Sequence, residues 1–179
     1  SSAVLEYLSQ YFLITLLYYN PNIAPYKEYE KREAELRRLV SQMKFTHPVE
    51  LLPCQYDGQA FVQAARGLEG EPEGGKRCEA CFRLRLRYAA QEAARLRFDY
   101  YTTTLSISPM KNAPLLNQLG EEIGREFGVA HLPSDFKKKD GYKRSVQLSK
   151  EYDLYRQDYC GCAFSKAQRQ REKEEREEV

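Results

Sequence analysis

The chain has 179 residues, of which 42% are hydrophobic and 30% are charged, and its formal net charge is +2. This length fits one domain and this composition argues against global disorder, while the near-neutral charge neither favours nor excludes a nucleic-acid partner. No apolar run approaches the ~20 residues of a membrane span and no signal peptide is visible, so we expect a cytoplasmic protein without a membrane partner.

The hydrophobic pattern of the first half predicts helices that alternate with strands. Residues 11–19 are rich in β-branched and aromatic side chains, which predicts a strand buried on both faces. Apolar residues spaced three and four apart predict a helix over residues 27–43. The other predicted elements are the end of a helix over 1–10, a short strand over 48–53 and a helix over 58–66.

The second half continues the alternation after a glycine-rich loop at 67–77. It predicts helices over 79–97, 113–127 and 141–151, and strands over 99–104 and 129–133. Strands alternating with helices indicate a single α/β domain with a parallel, Rossmann-like sheet, helices on both faces and ligands at the carboxyl ends of the strands. We place this domain at 1–165 and a charged tail at 166–179.

Four of the five cysteines form two close pairs, Cys78 with Cys81 and Cys160 with Cys162, whereas Cys54 stands alone. An odd count without a secretion signal argues against a disulfide framework. Close pairs more often hold metal, or cycle between a dithiol and a disulfide bond. Four thiolates suit zinc or an iron-sulfur cluster, and the sequence alone does not separate the two.

Two polar segments are candidates for contacts with a substrate. Hydroxyl side chains at 102–108 follow a predicted strand, where they can bind phosphate or substrate hydroxyls or can cap the next helix. Residues 135–145 contain five basic residues, which suit an RNA backbone or a solvated loop. The candidate contacts with a substrate or an RNA backbone are Thr103, Thr104, Ser106, Lys111, Lys137, Lys143, Arg144 and Arg156.

Five segments in the same order resemble the QueH-type epoxyqueuosine reductases. They are residues 20–32 (NPNI to YEKR), 71–81 (EPEGGKRCEAC), 102–111 (TTTLSISPMK), 135–145 and 154–162 (LYRQDYCGC). The resemblance implies reduction of epoxyqueuosine to queuosine at the wobble position of tRNA, the last step of queuosine biosynthesis. It implies an iron-sulfur cluster, expected to be 4Fe-4S, a nearby additional iron and an external electron donor.

The resemblance also implies ligands. Cys78, Cys81, Cys160 and Cys162 are the available thiolates, and a carboxylate ligand is placed provisionally at Asp135, with Asp99 as the alternative; no catalytic residue is assigned. The family carries a Cys-Cys-x-x-Cys segment at the end of its first strand, just before the residues that match the start of this chain. We therefore expect a fragment or a truncated chain that is marginally folded and inactive alone.

Two rival interpretations stay open. The first is a zinc-stabilised tRNA-binding module without catalysis, which explains the cysteines and the basic segment. The second is a thiol-disulfide oxidoreductase that uses Cys78 and Cys81. The sequence has no G-x-G-x-x-G nucleotide fingerprint, so a reductase would take electrons from a separate donor.

Overall fold

A computed structural model describes residues 2–177. The helices are α1 (Ser2–Leu8), α2 (Tyr26–Gln42), α3 (Gly58–Ala64), α4 (Lys76–Arg95), α5 (Ala113–Phe127), α6 (Gly141–Glu151) and α7 (Ala163–Glu177), with a 3-10 helix at Thr104–Ile107. The strands are β1 (Ile14–Leu17), β2 (Val49–Leu52), β3 (Tyr100–Tyr101) and β4 (Ala130–His131). No helix among these residues is long and apolar enough to cross a membrane.

The strands form two small parallel sheets. β1 pairs with β2, with Ile14 opposite Val49, and β3 pairs with β4, with Tyr100 opposite Ala130. The predicted α/β class and the parallel pairing are confirmed, but within residues 2–177 the strands do not join into one continuous Rossmann-like sheet. The facing sides of β1 and β3 are linked only through side chains, with the rings of Phe12 and Tyr100 6.1 Å apart.

β1 is shorter and more exposed to solvent than the sequence predicted. It has four residues, all of them partly exposed, instead of a nine-residue strand buried on both faces. Tyr11 and Leu13, inside the predicted strand, are 62% and 76% exposed. The apolar character of 11–19 therefore does not place these residues in a core, because one side of β1 faces an open cavity.

The largest core lies between α4 and α5. Phe82 and Leu86 of α4 pack against Leu116, Leu119 and Ile123 of α5. A second cluster joins α1, α2 and α6. A third cluster contains Phe61 of α3 together with two of the cysteines, so part of the core is built from the candidate ligands themselves.

Local signals explain where the helices begin and end. α5 begins after Asn112, whose side chain accepts a hydrogen bond from the Leu115 N–H, and it ends at Gly128 in the left-handed conformation with φ 72°. α4 begins at Lys76, three residues before the predicted start at Glu79, so the Cys-x-x-Cys pair lies in its first two turns. α7 runs through residue 165, the predicted boundary of the tail.

Candidate functional site

One cavity of about 990 Å³ contains all four paired cysteines in its wall. We call it the cysteine cavity. All of β1 and β3 line it, together with residues before and after each strand, so the cavity runs along these strands and beyond their carboxyl ends, whereas Cys54 is not among its lining residues. All five cysteines are free thiols. Two pairs that are far apart in sequence thus face the same space.

The loop between Cys160 and Cys162 is tightly fixed. The two Sγ atoms are hydrogen-bonded to each other at 3.6 Å, and the backbone N–H of Ser165 donates to Cys162 Sγ at 3.3 Å. Gly161 has φ 122°, and a Cβ added there would lie 2.8 Å from Ile23 Cγ1. Only glycine fits both this backbone conformation and this close approach.

Arg32 of α2 holds the same loop in place. It is 9% exposed, and its guanidinium donates to the carbonyl of Cys160 at 3.1 Å and to that of Tyr159 at 3.4 Å. Its third bond goes to the Glu28 carboxylate at 2.8 Å. The planar fork of arginine suits two neighbouring carbonyls, so α2 fixes the backbone from which both sulfurs project.

The first pair sits at the amino end of α4. The N–H of Gly74 donates to Cys78 Sγ at 3.2 Å, and Cys81, 8% exposed, packs in one cluster with Cys162 and Phe61. The neighbouring Arg77, also buried, donates to three backbone carbonyls of the preceding glycine-rich loop. Arg77 therefore shapes the loop that presents Cys78.

The thiols differ in acidity. The hydrogen bond between Cys160 Sγ and Cys162 Sγ lowers the pKa of Cys160 to about 5, with a smaller contribution from the charge of Lys111. The same hydrogen bond raises the pKa of Cys162, and burial raises that of Cys81. The Cys160–Cys162 pair therefore holds one proton between two sulfurs at neutral pH.

Glu73 is a carboxylate of the cysteine cavity that the sequence analysis did not single out. Its side chain is 17% exposed, accepts a hydrogen bond from Ser165 Oγ at 3.1 Å and pairs with Lys111 Nζ at 3.4 Å. Ser165 Oγ in turn accepts from the Cys160 N–H at 3.3 Å. Its position in the sequence could have indicated this role, because Glu73 lies five residues before Cys78 within residues 71–81.

The structure places the two carboxylates named from the sequence differently. Asp135 forms ion pairs with Lys137 at 2.6 Å and Lys138 at 3.4 Å, and it does not line the cysteine cavity. The hydrogen bond from Lys137 keeps the pKa of Asp135 below its ordinary value. Asp99 does line the cavity, beside β3.

The hydroxyl-rich segment divides into cavity and buried positions. Thr103, Thr104 and Lys111 line the cysteine cavity, and Thr103 Oγ1 also accepts the Leu105 N–H at 3.2 Å. Ser106 is fully buried, and its Oγ bonds Ser134 Oγ at 3.1 Å and accepts from the Phe136 N–H at 3.3 Å. Ser106 thus ties two loops together and has no free face toward the cavity.

The basic segment touches the cavity wall through Tyr142 and Ser145, but its basic side chains are not among the lining residues. Lys137 is paired with Asp135 as described, and Arg144 forms a two-point ion pair with Glu6 of α1 at 2.8 and 2.6 Å. Lys143 is exposed. The cations that line the cavity are Arg32, Arg77, Arg85, Lys111, Arg156 and Arg169. Of the predicted tRNA contacts, only Lys111 and Arg156 are cations of the cavity.

The donors of the cavity match a sulfur-ligated cofactor in kind. Four thiols face one space, and soft thiolates are the ligands that iron-sulfur clusters take. Backbone N–H groups already point at two of these sulfurs, as is common around bound clusters. Within residues 2–177, no three His, Cys, Asp or Glu side chains are close enough together to hold a metal ion.

Comparison with known proteins gives one family. The family model for epoxyqueuosine reductase QueH matches residues 1–168. A relative of that name from Streptococcus pyogenes serotype M1 is 44% identical over 92% of this chain and 66% of its own length. The Staphylococcus epidermidis relative is 40% identical over 92% and 71%, and that of Thermotoga maritima 37% over 85% and 79%.

The first of these relatives is matched over slightly less than two thirds of its length. The match nevertheless includes the segments that build the cysteine cavity, since residues 20–32, 71–81 and 154–162 all lie within 1–168. The chain belongs to the QueH family of epoxyqueuosine reductases.

Proposed function

We propose that this chain contributes the active site for the reduction of epoxyqueuosine to queuosine in tRNA, the last step of queuosine biosynthesis. The observation that carries the proposal is the meeting of two remote cysteine pairs on one cavity, in a chain that belongs to the QueH family. A tRNA partner and a cytoplasmic location follow from this activity. The absence of a membrane-spanning helix among the described residues is compatible with both.

We further propose that Cys78, Cys81, Cys160 and Cys162 hold an iron-sulfur cluster of the 4Fe-4S type, beside an additional iron. Because no three His, Cys, Asp or Glu side chains within residues 2–177 are close enough together to hold a metal ion, binding would have to draw the two cysteine pairs toward each other. When bound, this group would relay electrons from the external donor and would supply an electrophilic partner for oxygen. The chain contributes the N–H groups of Gly74 and Ser165, which stabilise negative charge on the sulfurs that they contact. Of the five carboxylates that line the cavity, we propose Glu73 and Asp99 in addition to Asp135 as candidate carboxylate ligands.

The reaction sets clear demands on the residues of the cavity. Two electrons and two protons enter, both carbon–oxygen bonds of the epoxide break, and water and an alkene leave. The electrons come from an external donor. Lys111, 11% exposed and paired with Glu73, is an ammonium group inside the cavity that can hold and deliver a proton.

The tRNA contacts follow the same surface. Lys111, Arg156, Thr103 and Thr104 line the cavity and are placed to contact the nucleotide that enters it. Lys137, Lys143 and Arg144 lie farther along the chain on and before α6, and we assign them to phosphates outside the cavity. Because Arg144 is already paired with Glu6, its contribution should be smaller than that of exposed Lys143.

The test is anaerobic reconstitution of the chain with iron and sulfide, followed by metal analysis, visible and spin-resonance spectra, and turnover of epoxyqueuosine-containing tRNA. We expect iron and acid-labile sulfide in the wild type and their loss in Cys81→Ser and Cys160→Ser. Cys54→Ser, outside the cavity, is the matched control. A colourless zinc protein would support the RNA-binding module instead, and turnover of small disulfides without iron would support the thiol-disulfide oxidoreductase.

A further inference from the structure

Two oxygen atoms beside the cysteines are buried without a hydrogen-bond partner among the described residues. They are the Tyr18 hydroxyl and Asn22 Oδ1. Asn22 as a whole is only 4% exposed. Both residues line the cysteine cavity. Folded proteins leave few such groups unpaired, because each one has lost its water without receiving a replacement.

The turn after β1 brings these groups to the cysteines. Tyr18 follows β1 directly, and its ring packs against Tyr29 with the centroids 5.1 Å apart. A Cβ added to Gly161 would lie 3.5 Å from Asn22 Nδ2, so the amide lies against the Cys160–Cys162 loop. Burial raises the pKa of Tyr18, which keeps its phenol neutral and able to donate a proton in a hydrogen bond.

A cation completes the same corner of the cavity. Arg85 of α4 lines the cavity and donates to Asn20 Oδ1 at 2.5 Å. Its charge favours the thiolate of Cys81 and the ionised form of Tyr18, which places Arg85 within electrostatic reach of both groups. The corner therefore offers one free acceptor, one free hydroxyl and a guanidinium, with no carboxylate paired to that guanidinium among residues 2–177.

We propose that Tyr18 and Asn22 form a subsite that recognises two neighbouring hydroxyl groups of the substrate. This inference rests on the proposed function, since the epoxide-bearing cyclopentane ring of epoxyqueuosine also carries an adjacent pair of hydroxyls. Asn22 Oδ1 accepts a hydrogen bond from one hydroxyl, and the Tyr18 hydroxyl donates to the other. Held in this way, the ring is presented to the side of the cavity that contains Cys160 and Cys162.

The assignment explains why both groups are unpaired in the free protein. A diol offers both donors and acceptors, which matches one acceptor and one donor on the protein. A site built to bind hydroxyls discriminates strongly against a ligand that lacks them, because its polar groups are then left unpaired. The subsite thus sets specificity for the modified ring and not for the base that carries it.

The experiment measures binding of two nucleosides to the full chain by titration calorimetry. One is the epoxyqueuosine nucleoside, and the other is the precursor nucleoside that ends in an aminomethyl group and lacks the cyclopentane ring. Tyr18→Phe and Asn22→Ala should each weaken binding of the first by roughly tenfold, as expected for one lost hydrogen bond, and leave the second unchanged. Tyr7→Phe, which removes a phenolic hydroxyl at a 54% exposed position outside the cavity lining, is the control.

The outcomes separate the two proposals. If the wild type binds the epoxyqueuosine nucleoside and both variants bind it equally well, the subsite is wrong and the proposed function stands. If the wild type binds neither nucleoside, the subsite fails, and the proposed function is decided separately by the turnover of epoxyqueuosine-containing tRNA. A second measurement is the melting temperature of the ligand-free chain, which Tyr18→Phe should leave unchanged or raise; a clear decrease would mean that the hydroxyl is satisfied internally, and would overturn the subsite.

Discussion

At the scale of the single residue, His131 on β4 occupies an unusual environment. Both ring nitrogens are buried without a hydrogen-bond partner among the described residues, and the ring packs edge-on against Tyr101 at 5.1 Å. Burial lowers the pKa of His131 below its ordinary value of 6.5, because the charged imidazolium would lose its hydration. The nearby Glu121 carboxylate opposes this effect only in part.

This environment predicts a pH dependence of stability. Above pH 6.5 His131 is neutral in both the folded and the unfolded chain, whereas below it the unfolded chain binds the extra proton first. The free energy of unfolding should therefore decrease as the pH falls from 6.5 toward the lower pKa of the folded state. Urea titrations between about pH 7 and pH 5 measure this slope.

The only other histidine provides the control. His131→Leu should flatten the slope over this interval, while His47→Leu, at an exposed position, should leave it as in the wild type. Equal slopes for the wild type and His131→Leu would contradict the assignment.

Gly120 of α5 gives a second prediction at this scale. A Cβ added there would lie 2.4 Å from the His131 ring, so Gly120→Ala should force α5 away from β4 and destabilise the chain by about 1–3 kcal/mol. Gly70→Ala has open space around its new Cβ and should change stability by less than about 0.5 kcal/mol. Chemical denaturation of both variants checks the difference, and equal midpoints would show that α5 and His131 adapt without cost.

At the scale of the elements, Arg32 connects α2 to the Cys160–Cys162 loop and is expected to keep this loop closed. Arg32 makes charge-assisted contacts worth about 1.5–3 kcal/mol each, so Arg32→Met should let the loop open at least tenfold more often. We expect faster alkylation of Cys160 and Cys162 by iodoacetamide, followed by mass spectrometry. Arg37→Met, on the exposed face of the same helix, should leave the rates unchanged; similar rates in all three proteins would show that other contacts hold the loop.

The helices were largely predictable from the sequence, whereas the sheet was not. α5 and α6 have the predicted ends, because residues such as Asn112 and Gly128 mark helix termini locally. The apolar run at 11–19 predicted a strand that is longer and more buried than β1. The burial of a strand depends on which strands lie beside it, and a local sequence pattern does not predict that pairing.

The site shows the same division. Local spacing identified both cysteine pairs, and the structure places all four thiols on one cavity. The role of Glu73 was missed because its partners, Lys111 and Ser165, are 38 and 92 residues away along the chain. Asp135 looked like a site carboxylate from its sequence neighbourhood, but adjacent lysines neutralise it outside the cavity.

At the scale of the whole molecule, the main feature is the gap between the two sheets. β1 and β3 each pair on one side only within residues 2–177, and their other sides border the cysteine cavity. Unpaired strand edges with apolar neighbours are templates for pairing with another chain. Leu13 lies directly before β1 and is 76% exposed, so it adds an apolar contact surface to this edge and favours association.

We therefore predict that the chain self-associates through β1. Leu13→Lys should reduce light scattering at high protein concentration several-fold without changing the free energy of unfolding, because the side chain is already exposed. Val62→Lys, at a 56% exposed position on α3, adds the same charge away from the edge and should leave the scattering unchanged. Equal effects of the two variants would indicate a general gain in solubility instead of a protected edge.

The contact between Arg32 and the Cys160–Cys162 loop also determines when the cysteine cavity can form during synthesis of the chain. The carbonyl that Arg32 grips belongs to a residue 128 positions later in the chain. At a synthesis rate of about 5–20 residues per second, roughly 6–26 s separate the emergence of the two partners. During that interval Cys78 and Cys81 have been made while their counterparts have not. A group that is held by both cysteine pairs must therefore bind, or gain its last ligands, near the end of synthesis. The Cys160–Cys162 loop, which closes the cysteine cavity, is among the last parts of the domain to be synthesised.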